Sequence, residues 1–125
     1  MSPAEMVREF HEAFGCAIGE EPSQPLLRLR QRLIREERRE FVEAFRSGDV
    51  EAIARELADL AYVTYGTAAS LGIDLDSAIG AVHAANMAKL GPDGRPILRA
   101  DGKVMKPSGW EPPDMSGALP AGRSA

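Results

Sequence analysis

The sequence predicts an all-α protein, an antiparallel four-helix bundle with a Gly- and Pro-rich C-terminal tail. Three observations predict it. Apolar residues recur at helical spacing as far as residue 90. Capping and stop signals cut that span into four segments with short connections, the pattern of an antiparallel bundle. Residues 91–125, in contrast, hold six of the 12 glycines and six of the 9 prolines.

The first helix is predicted over 3–14. Ser2 can cap it, Pro3 suits its first turn, and Glu5 and Glu9 sit near its positive end. Gly15, Gly19, Pro22 and Pro25 break the chain after it. The second helix is predicted over 26–46. Ser47-Gly48-Asp49 ends it and caps the third, over 50–70. Gly72 stops the third helix, and Asp74 caps the fourth, over 75–90. In the tail, residues 96–99 and 103–106 flank Asp101-Gly102, a favoured two-residue turn, so the tail can hold a small β-hairpin. There are no internal repeats, and Trp110 is the tail's only aromatic. The 125 residues therefore read as one domain, a bundle over 3–90 with a flap over 91–125.

Composition narrows the function classes. The chain carries a net charge of −4, is 44% apolar and 27% charged, and so belongs with folded proteins. No apolar run is long enough to span a membrane. Glu5, Glu9 and Glu12 stand where a secretory leader needs basic and then apolar residues. The single Cys16 excludes an intrachain disulfide and a Cys-cluster metal site. The expectation is a soluble, cytoplasmic protein with no membrane partner. The acidic balance argues against a partner of duplex nucleic acid, which calls for a basic face.

Chemistry enters where carboxylates interrupt an apolar stripe. Leu26, Leu29 and Leu33 step by three and four residues, and the same step continues to Glu37, Glu40 and Ala44. On the third helix Ala52, Glu56, Asp59 and Val63 form a similar row. If the two helices pack antiparallel, Glu37 and Glu40 face Glu56 and Asp59. Four carboxylates in a low-dielectric cleft each cost several kcal/mol to desolvate without a counter-charge. Mg²⁺ or Mn²⁺, which takes carboxylate oxygens and adds phosphate oxygens, resolves that cost. Without Glu36, Glu37, Glu40, Glu56 and Asp59 the net charge becomes +1, so the acidic excess can sit in one place. The competing reading is a solvated face, because Arg35, Arg38 and Arg39 lie at ion-pair spacing among these acids. The second pair of acids, beside core positions, favours metal. A di-iron bundle needs Glu-x-x-His, and neither His11 nor His83 follows a candidate Glu at that spacing.

With these residues in place, the sequence resembles the all-α nucleoside triphosphate pyrophosphohydrolases. These are the MazG-like enzymes, related to dimeric dUTPases and phosphoribosyl-ATP pyrophosphohydrolases. The resemblance rests on Glu36-Glu37-Arg38-Arg39-Glu40 and Glu56-Leu57-Ala58-Asp59, with residues 60–66, Asn86-Met87-Ala88-Lys89, residues 101–107 and Gly109-Trp110 alongside. It implies Mg²⁺-dependent hydrolysis between the α- and β-phosphates, yielding a nucleoside monophosphate and pyrophosphate. It implies Glu37, Glu40, Glu56 and Asp59 as metal ligands and Glu36 as the residue that orients or deprotonates the attacking water. Glu36 is turned about 100° from Glu37 on the helix, which suits reach without ligation. A house-cleaning role on dUTP-like substrates leads. Phosphoribosyl-ATP is the alternative substrate, and a non-catalytic helical oligomerisation module is the alternative class. The resemblance also implies a homodimer or homotetramer.

The remaining candidates each carry two readings. Lys89, Lys103 and Lys106 can meet the outer phosphates as mobile point charges, or be solvated cations. Asn86 can read a base edge or sugar hydroxyl, or close a helix. Trp110 can cover the base, or anchor the tail. His11 lies on the helix that lines the nucleotide pocket in the related enzymes, yet a lone His is more often structural.

Overall fold

The computed structural model describes residues 1–122. Its helices are α1 (Pro3–Phe14), α2 (Gln24–Ser47), α3 (Val50–Leu71) and α4 (Leu75–Met87), followed by a single 3-10 turn at Ser116–Ala118. No sheet forms among the described residues. By internal contacts the chain divides into two compact units, Met1–Ile73 and Asp74–Ala125.

Local chemistry sets the helix ends. Ser2 and Glu5 form a reciprocal capping box at α1, with Ser2 Oγ accepting from Glu5 N and the Glu5 carboxylate accepting from Ser2 N. The second helix starts two residues earlier than expected. Ser23 caps it, and Pro25, expected to be a breaker, sits in the first turn, where a missing N–H leaves no bond unmade. Gly48 in the left-handed region closes α2, and Asp49 caps α3 at once, so the two helices form a tight hairpin. At α4 the expected end at residue 90 is corrected to Met87. Lys89 N and Leu90 N bond three residues back, to Asn86 O and Met87 O, and this tighter turn ends the helix.

In the first unit α2 packs on α3, and α1 packs on α3. The α2–α3 pair is antiparallel. Arg30, early in α2, bonds Val63 and Thr67, late in α3, while Glu37 meets Glu56 and Asp59. The inward row of α2 also differs from expectation. Leu29 is 39% exposed, and its neighbour Arg30 is 7% exposed. Arg30 Nε donates to Thr67 Oγ1 (3.1 Å) and Nη2 to Val63 O (3.0 Å). The room for its guanidinium comes from Gly66, where a Cβ would collide with Arg30 Nη2 and crowd His11 Nε2. His11 is 3% exposed, and its Nδ1 pairs with Ala17 O at 2.9 Å. A carbonyl only accepts, so Nδ1 carries the proton there.

The second unit holds α4 and the tail. Trp110 Nε1 donates to Ala85 O at 2.7 Å, which fastens the tail to α4. The expected β-hairpin is reduced to one isolated bridge, Leu98↔Val104, and a separate bridge, Leu90↔Pro96, precedes it. The turn between 99 and 103 also differs. Gly102 N bonds Arg99 O and Arg99 N bonds Lys103 O, so the loop is three residues long with Gly102 left-handed at its third position.

Glycine inside a helix costs about 1 kcal/mol against alanine, so Gly66 is retained for tertiary reasons. Gly66→Ala is expected to destabilise the chain by about 1–3 kcal/mol through overpacking against the pinned Arg30, opposite to the local helix preference. Urea unfolding measures it.

Candidate metal centre

The residues Glu37, Glu56 and Asp59 each present a carboxylate oxygen within 4.8 Å of the others. Glu37 comes from α2, and Glu56 and Asp59 from successive turns of α3. Nothing in local sequence joins the two helices here except the Gly48-Asp49 turn, which folds α2 back on α3. All three residues are half-buried. Glu37 Oε2 and Glu56 Oε2 are shielded from solvent and have no hydrogen-bond partner among the described residues.

An orphaned, shielded carboxylate oxygen is costly, and two of them side by side are costlier. The ionisation equilibria show that strain. Burial, then repulsion from Glu40 and Asp59, pushes Glu37 up to about 7 from an ordinary 4.5. Burial, then Glu40 and Asp59, pushes Glu56 up in the same direction. These are the features of a divalent-cation site: hard oxygen donors only, converging from two rigid elements, with shielded oxygens whose hydrogen-bonding neighbours are other carboxyl groups. The donor set fits Mg²⁺ or Mn²⁺.

The structure brings together some of the sequence-predicted residues and leaves others outside this cluster. Glu40 is exposed and is not one of the three mutually converging residues, yet its carboxyl lies at hydrogen-bonding range of both Glu37 and Glu56 and repels both. Glu36 is exposed and lies outside the three-ligand group. In the second unit Trp110 gathers Lys89 and Lys106, whose Nζ atoms lie 5.5 and 4.7 Å from its ring centroid. Lys103 is exposed and shares a groove with Arg99 and Lys106. Arg99 itself is paired with Asp101. The Asn86 carbonyl takes part in the turn that ends α4.

Sequence reasoning missed Arg30. A cavity of about 240 Å³ in the first unit is lined by Phe10, His11, Arg30, Leu33 and Tyr62, among others. Phe10 and Tyr62 meet edge to face, with centroids 5.8 Å apart. Leu33 precedes Glu37 by four residues on α2, and Val63, also at the cavity, follows Asp59 by four on α3. Because the helices are antiparallel, both steps run the same way. The cavity thus begins one turn, about 6 Å, from the carboxylates. The only sequence signal was a charged residue where the periodicity also admitted an inward position.

A family model for phosphoribosyl-ATP pyrophosphohydrolase matches residues 7–86, which include all five acids and His11. No curated protein matches the chain.

A raised carboxylate pKa means that, between about 4.5 and 7, the folded chain holds a proton that the unfolded chain has lost. Stability of the metal-free chain is therefore expected to fall as pH rises through that window. Asp74, Asp101 and Asp114 are held low by hydrogen bonds and titrate beneath it. Thermal melts in chelator at several pH values are expected to show the fall. Glu37→Gln should flatten it, and Mg²⁺ or Mn²⁺ should restore stability most at the upper end.

Proposed function

This chain belongs to the phosphoribosyl-ATP pyrophosphohydrolase family, within the MazG-like all-α superfamily, and from that premise we propose a specific reaction. The chain hydrolyses nucleoside triphosphates between the α- and β-phosphates. Water adds to phosphorus, the bridging P–O bond breaks, and a nucleoside monophosphate and pyrophosphate leave. The observation that carries this reading is the pair of shielded, partnerless oxygens on Glu37 and Glu56, facing each other across two helices beside Asp59.

Each residue has a role on this reading. Glu37, Glu56 and Asp59, with Glu40 at the solvent edge, hold Mg²⁺. When bound, that cation offsets phosphate charge and acidifies water. Glu36, adjacent on α2 but turned away, takes the proton from the attacking water. The cavity with His11 takes the base. Lys89, Lys103 and Lys106 serve the outer phosphates, Asn86 the sugar or base edge, and Trp110 holds Lys89 and Lys106 in position. The reading includes self-association as a homodimer or homotetramer. No described helix is long and apolar enough to cross a membrane.

The leading substrates are dUTP-like (deoxy)nucleoside triphosphates, in a house-cleaning role in the cytoplasm. The family's description favours phosphoribosyl-ATP as the second reading. Pyrophosphate release, measured across a nucleotide panel and phosphoribosyl-ATP with Mg²⁺, separates the two. Release from none of them would leave a non-catalytic helical module.

Glu36→Gln is expected to lower kcat about 10²- to 10⁴-fold while metal affinity by calorimetry stays near that of the unaltered chain. Glu40→Ala is expected to weaken both metal binding and turnover. If Glu36→Gln loses metal as badly as Glu40→Ala, then Glu36 is a ligand. Lys106→Ala is expected to raise KM for a triphosphate several-fold with helical circular dichroism unchanged.

A further inference from the structure

Arg30 is buried, and among the described residues no carboxylate forms an ion pair with it. Its charge is disfavoured by burial, and the group that acts on it electrostatically is the Cys16 thiol, not a carboxylate. A guanidinium has five N–H donors and accepts nothing. The bonds to Thr67 Oγ1 and Val63 O use two of them. Both of those acceptors are neutral, and the residue borders the cavity. A strut between two helices needs no charge. Leucine or methionine in that row would fill space without the desolvation cost that a buried guanidinium carries. Arg30 lines the cavity with donors to spare.

The cavity's other walls say what would sit there. Phe10 and Tyr62 offer aromatic surface to a flat ring. About 240 Å³ holds a ring system rather than a whole nucleotide, and the carboxylates begin about one helical turn away. Charged phosphates at the acids and a ring at the cavity match the two ends of one ligand.

Resting on the reading of the chain as a nucleotide pyrophosphohydrolase, we infer that Arg30 is a specificity-determining residue that donates to a carbonyl oxygen on the base and disfavours adenine. Uracil, thymine, cytosine and guanine each carry a carbonyl oxygen that accepts from a guanidinium. Adenine has none. Its N1 and N7 both stand beside the exocyclic amino group, a donor that opposes the second arm of the fork. A buried donor left facing a donor is penalised more than a missing contact. The inference thus opposes phosphoribosyl-ATP, which carries adenine, as the preferred substrate.

The test is equilibrium binding of dUMP, dCMP, dGMP and dAMP to the full chain with Mg²⁺. None of these has a bond that the chain cleaves, so recognition is read apart from turnover. We expect dAMP to bind at least tenfold more weakly than the best of the other three. Arg30→Met should bring all four within threefold of one another, with Mg²⁺ affinity unchanged. Equal binding of dAMP by the unaltered chain overturns the inference, as does a variant that weakens all four alike, which is the behaviour of a strut. If Arg30→Met fails to fold, the order in the unaltered chain and Arg30→Lys decide. Lysine keeps the charge but loses the fork, and it is expected to erase most of the discrimination against dAMP. A separate turnover panel guards the premise. Absence of pyrophosphate release from every triphosphate overturns the hydrolase reading, while the binding order still judges Arg30.

Discussion

The packing of α2 against α3 sets three carboxylates against one another, and the rest of the first unit accommodates that repulsion. Glu37 on one helix meets Glu56 and Asp59 on the other because the turn at Gly48-Asp49 leaves the helices antiparallel and in register. A sequence selected only for stability would place leucine or alanine at these positions. The acids keep their place because the apolar and hydrogen-bonded contacts farther along the pair hold the helices together. Local conflict of this kind, tolerated inside a consistent fold, is a mark of a functional site.

Those supporting contacts are themselves polar to an unusual degree. The buried residues of the first unit include His11, Arg30 and Ser70 beside Val7, Leu26, Ala44 and Ala68. Arg30 ties α2 to α3 through Thr67 and Val63, and His11 ties α1 to the next loop through Ala17. Small residues on α3, Gly66 above all, let the polar heads enter. Along α2 the inward row therefore runs from a guanidinium at Arg30 to a carboxyl at Glu37, two helical turns on. A ligand with one charged and one hydrogen-bonding end matches such a row.

The second unit solves a different problem, which is order without a ladder. Its tail is rich in glycine and proline, and its described residues make only single bridges. Short-range carboxylate caps replace the ladder: Asp93, Asp101 and Asp114 each accept from a backbone N–H two residues on. Trp110 then fastens the segment to α4 by a hydrogen bond and stacks two lysines on its ring. The hairpin expected from Asp101-Gly102 became a three-residue loop. Gly102 takes the left-handed position at the loop's end instead of the centre of a two-residue turn.

The sequence by itself determined the four helices, most of their ends, and the two acid pairs. Those features are local. Helical period, caps and left-handed glycines act within a few residues and leave their trace in the chain. What only the tertiary structure decided was which side chains use the positions that periodicity allows. On α2 a row through Leu26, Leu29 and Leu33 and a row through Leu26, Arg30 and Leu33 are both compatible with a helix, and the two middle residues differ by about 100° of rotation. The choice fell to Arg30 because α3 offered space at Gly66 and acceptors at Val63 and Thr67, thirty-odd residues away. The same holds for the acids. Their spacing placed all four along two faces, and the packing of one helix on the other drew Glu37, Glu56 and Asp59 together, with the exposed Glu40 beside Glu37 and Glu56. One-dimensional periodicity fixes angles around each helix axis, and the contact between two axes fixes which angles meet.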